Sequence, residues 1–334
     1  MKTRVVAADS AAEKESAIAE AVHLLRSGEL VALPTETVYG LAADALNVSA
    51  VLKIFEAKHR PRFDPLIVHV GSIEMAERIA EIPGASSELI RALMGRFWPG
   101  PLTFVLPRRE VIPDVVAAGL ATVAVRVSAH PVFSAVAAEF GGALAAPSAN
   151  RFGRISPTRA GDVSEELDGR IPLIVDARDT SHGLESTIVR VERGKIEILR
   201  KGPVTAEHLA DFGSVSIANH ILRVSAPGQL PTHYAPRTRL VVVNSADEFA
   251  IPPATKCGLL AWRSSSKSDG FSEVRTLSAD GDLKEAAAHL FRYLRELDRA
   301  NLDLIVAEAV SDEGIGAAIM DRLRRAASVP GAQL

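Results

Sequence analysis

The sequence predicts an α/β protein folded as two domains, and three observations carry that prediction. Short apolar runs recur between longer stretches whose apolar residues fall at helical spacing, the alternation that builds layers of strand and helix. At 334 residues and 47% hydrophobic composition, the chain can bury one large core and a second smaller one. From Thr238 onward the pattern becomes a compact alternating unit, set off by residues 225–237, which hold three prolines and one glycine.

Residues 11–27 place Ile18, Ala21, Val22 and Leu25 on one helical face, closed by Gly28. Residues 30–33 read as a short buried strand. Pro34 stops it and leaves Thr35, Glu36, Thr37 and Tyr39 at its C-terminal edge, where α/β units hold ligands. A helix over 50–58, capped by Ser49, precedes a strand over 66–70, so Lys58, His59 and Arg60 fall in the connector. With an extended connector, Lys58 and Arg60 converge on one anionic group.

Helices over 72–80 and 86–97 lead to the rigid turn Trp98-Pro99-Gly100-Pro101, then strands over 102–106 and 121–127, a helix over 131–140 and a strand over 143–146. That strand runs into Pro147-Ser148-Ala149-Asn150, then Arg151, Arg154 and Ser156-Pro157-Thr158. Hydroxyls, an amide and guanidiniums after a buried strand suit phosphate or carboxylate oxygens. A helix over 158–167, a strand over 173–176, a hairpin of strands 186–192 and 195–199, and a helix over 205–211 complete the first domain. The second is predicted to hold strands over 240–243, 257–262 and 304–307, with helices over 282–301 and 315–326.

Charge and composition exclude several classes. With 38 basic against 41 acidic side chains, no overall field favours nucleic acid or an anionic membrane. The single Cys257 rules out an internal disulfide framework and a multi-cysteine metal site, which fits a reducing cytoplasm. The first 28 residues are charged and lack the apolar run of a signal peptide. No apolar segment is long enough to suggest a membrane span.

The common phosphate, dinucleotide, zinc and serine-hydrolase motifs are missing from the sequence. The polar set in and around residues 34–69 is mostly cationic and hydroxylic, with few candidate bases. Glu36 reads either as a base or as a carboxylate paired with an arginine. Such a set suits positioning and charge neutralisation, hence transfer at a phosphoanhydride or mixed anhydride. As cations at a helix terminus, Lys58 and Arg60 are expected to be exposed, so alanine at either is expected to leave the fold intact.

The blocks PTETVYGL, AKHRP, PLIVHV, WPGPLTFVL, TVAVRVSAHP, APSANRFGRISPT, ESTIV, LRKGP and APGQLPTHYAP, in this order over residues 12–237, resemble the threonylcarbamoyl-adenylate synthase family with its YrdC-like domain. The later segments LLAW, YLRELDRANLDLIVAEAV and GIGAAIMDRLRRAA are similar to the extra domain of its longer members. The resemblance implies a catalytic domain over 1–212, a linker and lid over 213–237, and a C-terminal domain over 238–334. The implied fold is a twisted, open, mixed α/β sheet with helices, plus a smaller three-layer α/β domain.

The implied reaction joins L-threonine, bicarbonate or CO2, and ATP into threonylcarbamoyl-AMP with release of pyrophosphate. Other proteins then transfer the group to adenosine 37 of tRNA, with little or no direct nucleic-acid binding by this chain. Carried over by position, Lys58, Arg60, Ser148 and Asn150 are the expected catalytic and phosphate-binding residues. Thr35, His69, Thr122 and Ser186 are expected to line the threonine pocket, and Arg126, Ser156 and Arg200 to meet nucleotide or phosphate. His233 and Tyr234 are expected in the lid. Mg2+ is expected to be held mainly through phosphate oxygens, with no dedicated protein ligands. His59 stands where the family often has glycine, and Lys201 where proline is common. The alternative reading is an RNA-binding module without adenylate-forming activity, against which the balanced charge and scarce aromatic residues count.

Overall fold

A computed structural model of the protein describes residues 2–218, 234–264 and 268–327. The chain forms two compact units, and residues 153–156 and 182–184 belong with residues 234 onward in the second.

The first unit carries β1 (Arg4–Ala7), β2 (Val31–Leu33), β3 (Gly40–Asp44), β4 (Ile67–His69), β5 (Leu102–Pro107), β6 (Thr122–Arg126), β7 (Leu144–Ala145) and β8 (Leu173–Asp176). β9 (Thr187–Glu192), β10 (Lys195–Arg200) and β11 (Ser214–Ile217) complete its strands. Its helices are α1 (Ala11–Arg26), α2 (Val48–Lys58), α3 (Ile73–Ile79), α4 (Ser87–Phe97), α5 (Asp114–Ala117), α6 (Pro131–Phe140), α7 (Ala160–Leu167) and α8 (Ala206–Ala210).

The eleven strands form one mixed sheet in the order β1-β8-β2-β3-β7-β4-β6-β5-β9-β10-β11. Successive strand residues face opposite ways. Val31 and Leu33 pack with Ile18, Val22 and Leu25 of α1 and Val132, Phe133 and Val136 of α6. Ala32 joins Leu41, Val68 and Val125 in the larger core with Ile54 and Phe55 of α2. At the centre, β4 and β6 run parallel, with His69 opposite Arg126 at their C-terminal ends.

The second unit is a four-stranded parallel sheet, ordered β12 (Arg239–Val243), β15 (Leu304–Glu308), β13 (Cys257–Ala261) and β14 (Glu273–Thr276). α9 (Leu283–Asp298) packs on β13 and β14, and α10 (Gly316–Ala327) on β12. No helix among the described residues is long and apolar enough to cross a membrane.

Several elements differ from expectation for physical reasons. β3, with the sequence GLAAD, has no β-branched residue and is a strand because β2 and β7 pair with it on either side. β1 and β11 are short and largely exposed edge strands. β11 pairs in parallel with β10, so the segment assigned to the linker from residue 213 starts as part of the first sheet. α2 is capped by Asn47, whose side chain accepts the Ala50 amide at 3.2 Å, rather than by Ser49.

Gly202, just past β10, has no room for a side chain. A Cβ there would lie 2.5 Å from the Thr187 nitrogen and 2.6 Å from the Glu185 carbonyl oxygen. Gly202→Ala is therefore expected to cost about 1–3 kcal/mol. A lowered thermal unfolding midpoint would show this, and an unchanged midpoint would contradict the close approach.

Candidate active site

Two charged clusters form at opposite ends of β4, the first where β4 and β6 end and the second just before β4 begins. The first is built on the turn after β2. Thr35 Oγ1 accepts the amides of Thr37 at 3.0 Å and Val38 at 3.2 Å, a side-chain turn that fixes residues 35–38. The turn presents Glu36 and Thr37 to Arg126. Arg126 Nη2 lies 2.6 Å from Glu36 Oε1, its Nη1 donates to Thr37 Oγ1 at 2.9 Å, and its Nε donates to the Gly100 carbonyl at 3.1 Å. The Ser128 hydroxyl donates to Glu36 Oε2 at 2.6 Å.

Burial works against the Glu36 charge, but Arg126 and the Ser128 hydroxyl outweigh it and hold the carboxyl at about 2. Glu36 is thus the Arg-paired carboxylate of the two sequence readings. His69 lies beside Arg126 on β4, its ring 4.9 Å from the Phe133 ring. Burial, and then the Arg126 charge, push its pKa down to about 3. Neither ring nitrogen has a hydrogen-bond partner among the described residues. A neutral imidazole offers one donor and one acceptor, so His69 is equipped to orient a small polar ligand.

The second cluster starts where α2 ends. Lys58 is the last helical residue and is 1% exposed; its Nζ donates to the Ser148 carbonyl at 2.5 Å and to the Asn150 carbonyl. Its pKa is pushed well below the usual amine range, first by burial and then by Arg60. Arg60, 8% exposed, donates to the carbonyls of Asp64 at 3.2 Å and Pro65 at 2.8 Å and pairs with the Asp64 carboxylate at 2.9 Å. The expectation that Lys58 and Arg60 are exposed is therefore corrected, and with it the expectation that alanine there spares the fold.

The connector is not extended either. His59 adopts the left-handed conformation, φ 51°, which glycine takes without steric cost, and its Nε2 sits 2.6 Å from Arg170 Nη1. That conformation explains why a glycine suits this position.

Ser186 lies between the clusters. Its Oγ shares a hydrogen bond with Thr103 Oγ1 at 2.7 Å, and Arg200 Nη2 donates to its carbonyl at 2.9 Å and its Oγ at 3.0 Å. The next amide, Thr187, donates to the Pro101 carbonyl, one residue beyond the Gly100 carbonyl that receives Arg126. Arg200 in turn faces Asp64 of the second cluster.

The sequence-based grouping changes in three places. Arg126, expected at the nucleotide, sits with Thr35, Thr37 and His69. Thr122 is half-buried at the opposite end of β6 from Arg126, about 13 Å along the strand, and so lies apart from the first cluster. Ser156 is buried within the second unit, as is Tyr234, which stacks on Phe291 at 5.4 Å beneath the Arg322 guanidinium. His233 lies outside the described residues. Asp64 and Ser128 were missed; their one signal is a carboxylate and a hydroxyl at the edges of apolar strands that end in His69 and Arg126.

Comparison with known proteins decides the family. A model described as telomere recombination matches residues 23–202, and one described as the C-terminal domain of threonylcarbamoyl-AMP synthase matches residues 204–328. A threonylcarbamoyl-AMP synthase from Pyrococcus abyssi is 40% identical over 319 residues, spanning 92% of each chain. The chain belongs to the threonylcarbamoyl-AMP synthase family. A Bacillus subtilis synthase of that name is 38% identical over 98% of each chain. Among solved structures, P. abyssi Sua5 complexed with L-threonine has a TM-score of 0.86 at 38% identity, covering 97% of this chain and 98% of that one. The family fold, a large mixed sheet followed by a second parallel sheet, is the one described above.

The first cluster makes the protein acid-sensitive. Glu36 and His69 both have depressed pKa values, so the unfolded chain binds more protons and stability falls as pH drops. The His69 contribution fades as pH falls from about 6.5 to about 3, and that of Glu36, about 3 kcal/mol, from about 4.5 to about 2. Denaturant melts across pH should show His69→Gln flattening the upper part of this decline, and an unaltered pH profile in that variant would refute the assignment.

Proposed function

We propose that the protein condenses L-threonine, bicarbonate or CO2, and ATP into threonylcarbamoyl-AMP, releasing pyrophosphate and, from bicarbonate, water. The observation that carries this reading is the pairing of a buried Arg126–Glu36–His69 cluster with a second cationic cluster at Lys58, Arg60 and Arg200, linked through the Arg200–Ser186 contact. The first has the chemistry of an amino-acid receptor, and the second that of a phosphate site. Family membership and the L-threonine complex of the P. abyssi relative support threonine as a substrate.

In this reading Arg126 receives the threonine carboxylate, kept in place by Glu36, Thr37 and the Gly100 carbonyl. His69 and the Thr35 turn orient the amine and hydroxyl end. The amine attacks CO2 to give the carbamate, and a carbamate oxygen attacks the α-phosphorus of ATP while the bond to pyrophosphate breaks. Lys58, Arg60 and Arg200 offset the charge growing on the leaving group. Protonated once a phosphate is beside it, Lys58 has three N–H donors, two given to the Ser148 and Asn150 carbonyls and one for a phosphate oxygen. Ser186 stands where amino acid and nucleotide meet, and the loop from Ser148 to Asn150 borders the phosphates.

Among the described residues no group of three His, Cys, Asp or Glu side chains is placed to hold a metal ion. Mg2+ entering with ATP would be held mainly through phosphate oxygens and would supply further charge neutralisation. The protein is proposed to act in the cytoplasm, handing its product to proteins that modify tRNA.

Purified protein given ATP, Mg2+, bicarbonate and L-threonine should release pyrophosphate and form the adenylate seen by mass spectrometry. Pyrophosphate release indifferent to threonine would refute the reading. Lys58→Met, which keeps the buried stem and removes the charge, is expected to lower turnover by about 100-fold or more. Near-normal turnover in that variant would exclude Lys58 from the phosphate site.

A further inference from the structure

Asp64 is a buried carboxylate that the reaction does not use directly. It is 0% exposed, and Arg60 Nη2 lies 2.9 Å from its Oδ2. Neither carboxylate oxygen receives a hydrogen bond in good geometry from the described residues. A carboxylate in such a place is expensive to keep, since charge without hydrogen-bond donors is poorly compensated in a protein interior. Its surroundings show what retains it. Arg60 and Lys58 face it from its own connector and Arg200 faces it from the end of β10, so one buried anion sits among three cations assigned to phosphate.

We propose that Asp64 is a positioning residue for ATP: it holds Arg60 by both carboxylate and backbone carbonyl and keeps the Lys58 and Arg200 charges together in the empty site. The inference rests on the functional reading above and deepens it. Arg60 is fixed at two points by residue 64 itself, Nε to the carbonyl and Nη2 to the carboxylate, and at a third by the Pro65 carbonyl. The geometry turns a flexible arginine into a rigid one, so little conformational freedom is lost when a phosphate arrives. Before ATP binds, the carboxylate stands in for substrate charge and limits the repulsion between Arg60 and Lys58.

A second consequence concerns protonation. The groups acting on Lys58 are Arg60, which disfavours its cation, and Asp64 and Glu166, which favour it; Glu166 comes from α7. Removing the Asp64 charge therefore lowers the Lys58 pKa further. If turnover needs the Lys58 cation, the basic limb of the pH–rate profile moves to lower pH.

The test is Asp64→Asn, nearly equal in shape and without charge, in the full-length enzyme. Threonine-dependent pyrophosphate release is followed from about pH 6 to about pH 10, with separate titrations of ATP and threonine. The expected result is an ATP KM raised about tenfold or more, a threonine KM within about twofold of wild type, and a basic limb displaced to lower pH. An ATP KM and a basic limb both at their wild-type positions would overturn the proposal. A structural defect alone would raise neither KM selectively nor move the limb. Should Asp64→Asn fail to fold by circular dichroism, Asp64→Glu decides. With charge kept and reach altered, it should raise the ATP KM while leaving the basic limb in place, and wild-type ATP KM in that variant overturns the proposal. Inactive wild-type enzyme would refute the functional reading, whereas active wild type with unaltered Asp64 variants refutes only this inference.

Discussion

The architecture of the candidate site depends on one contact, the buried Lys58 side-chain nitrogen held by the carbonyls of Ser148 and Asn150. A charge at that depth survives only with strong compensation. The two carbonyls supply part of it and in doing so bind the end of α2 to the loop that follows β7. The same loop is stitched to the turn after β2. Leu41 donates to the Pro147 carbonyl, and Ala149 donates to that of Tyr39. Phe152 closes the circle by donating to the Lys58 carbonyl. Three segments far apart in the chain are thus fixed by backbone groups, which do not depend on side-chain rotamers.

This frame separates two kinds of charge. Glu36 and Arg126 neutralise one another beside a neutral His69, the group proposed to recognise a small zwitterionic or carboxylate ligand. Lys58, Arg60 and Arg200 all act on Asp64 and form the group proposed to meet a polyanion. His69 and Arg126 close the parallel pair β4 and β6 at its C-terminal end, and Asp64 stands just before β4 begins. Ser186 is tied to Thr103 and to Arg200, which acts on Asp64 of the second group. An amino acid and a nucleotide can therefore be brought together without a dedicated general base, by positioning and charge neutralisation.

Much of the fold was legible because local pattern and tertiary structure agree. α1 and α6 show their buried faces at helical spacing, and the hairpin of β9 and β10 turns at Arg193 and Gly194 as its alternation predicts. β3 was illegible because its small residues carry no strand preference and only its neighbours make it a strand. The site was legible as a set of residue types, and family resemblance supplied the roles. Its electrostatics were not. Nothing local links Glu36 to Arg126, and a lysine and arginine at a helix end read as solvated until the Ser148 and Asn150 carbonyls are seen to bury them. The resemblance placed Arg126 at the nucleotide, but its partners Thr37 and Glu36 put it in the other cluster. Likewise, the left-handed backbone of His59 shows in the sequence only as a departure from glycine.

The central claim is that amino acid and nucleotide are held by separate charge clusters. Calorimetric titration of L-threonine and of a non-hydrolysable ATP analogue into Arg126→Gln and Arg60→Gln tests it most directly. The account predicts a double dissociation. Arg126→Gln should lose threonine and keep the analogue, and Arg60→Gln should lose the analogue and keep threonine. Equal loss of both ligands in each folded variant, or the reverse pattern, would contradict it.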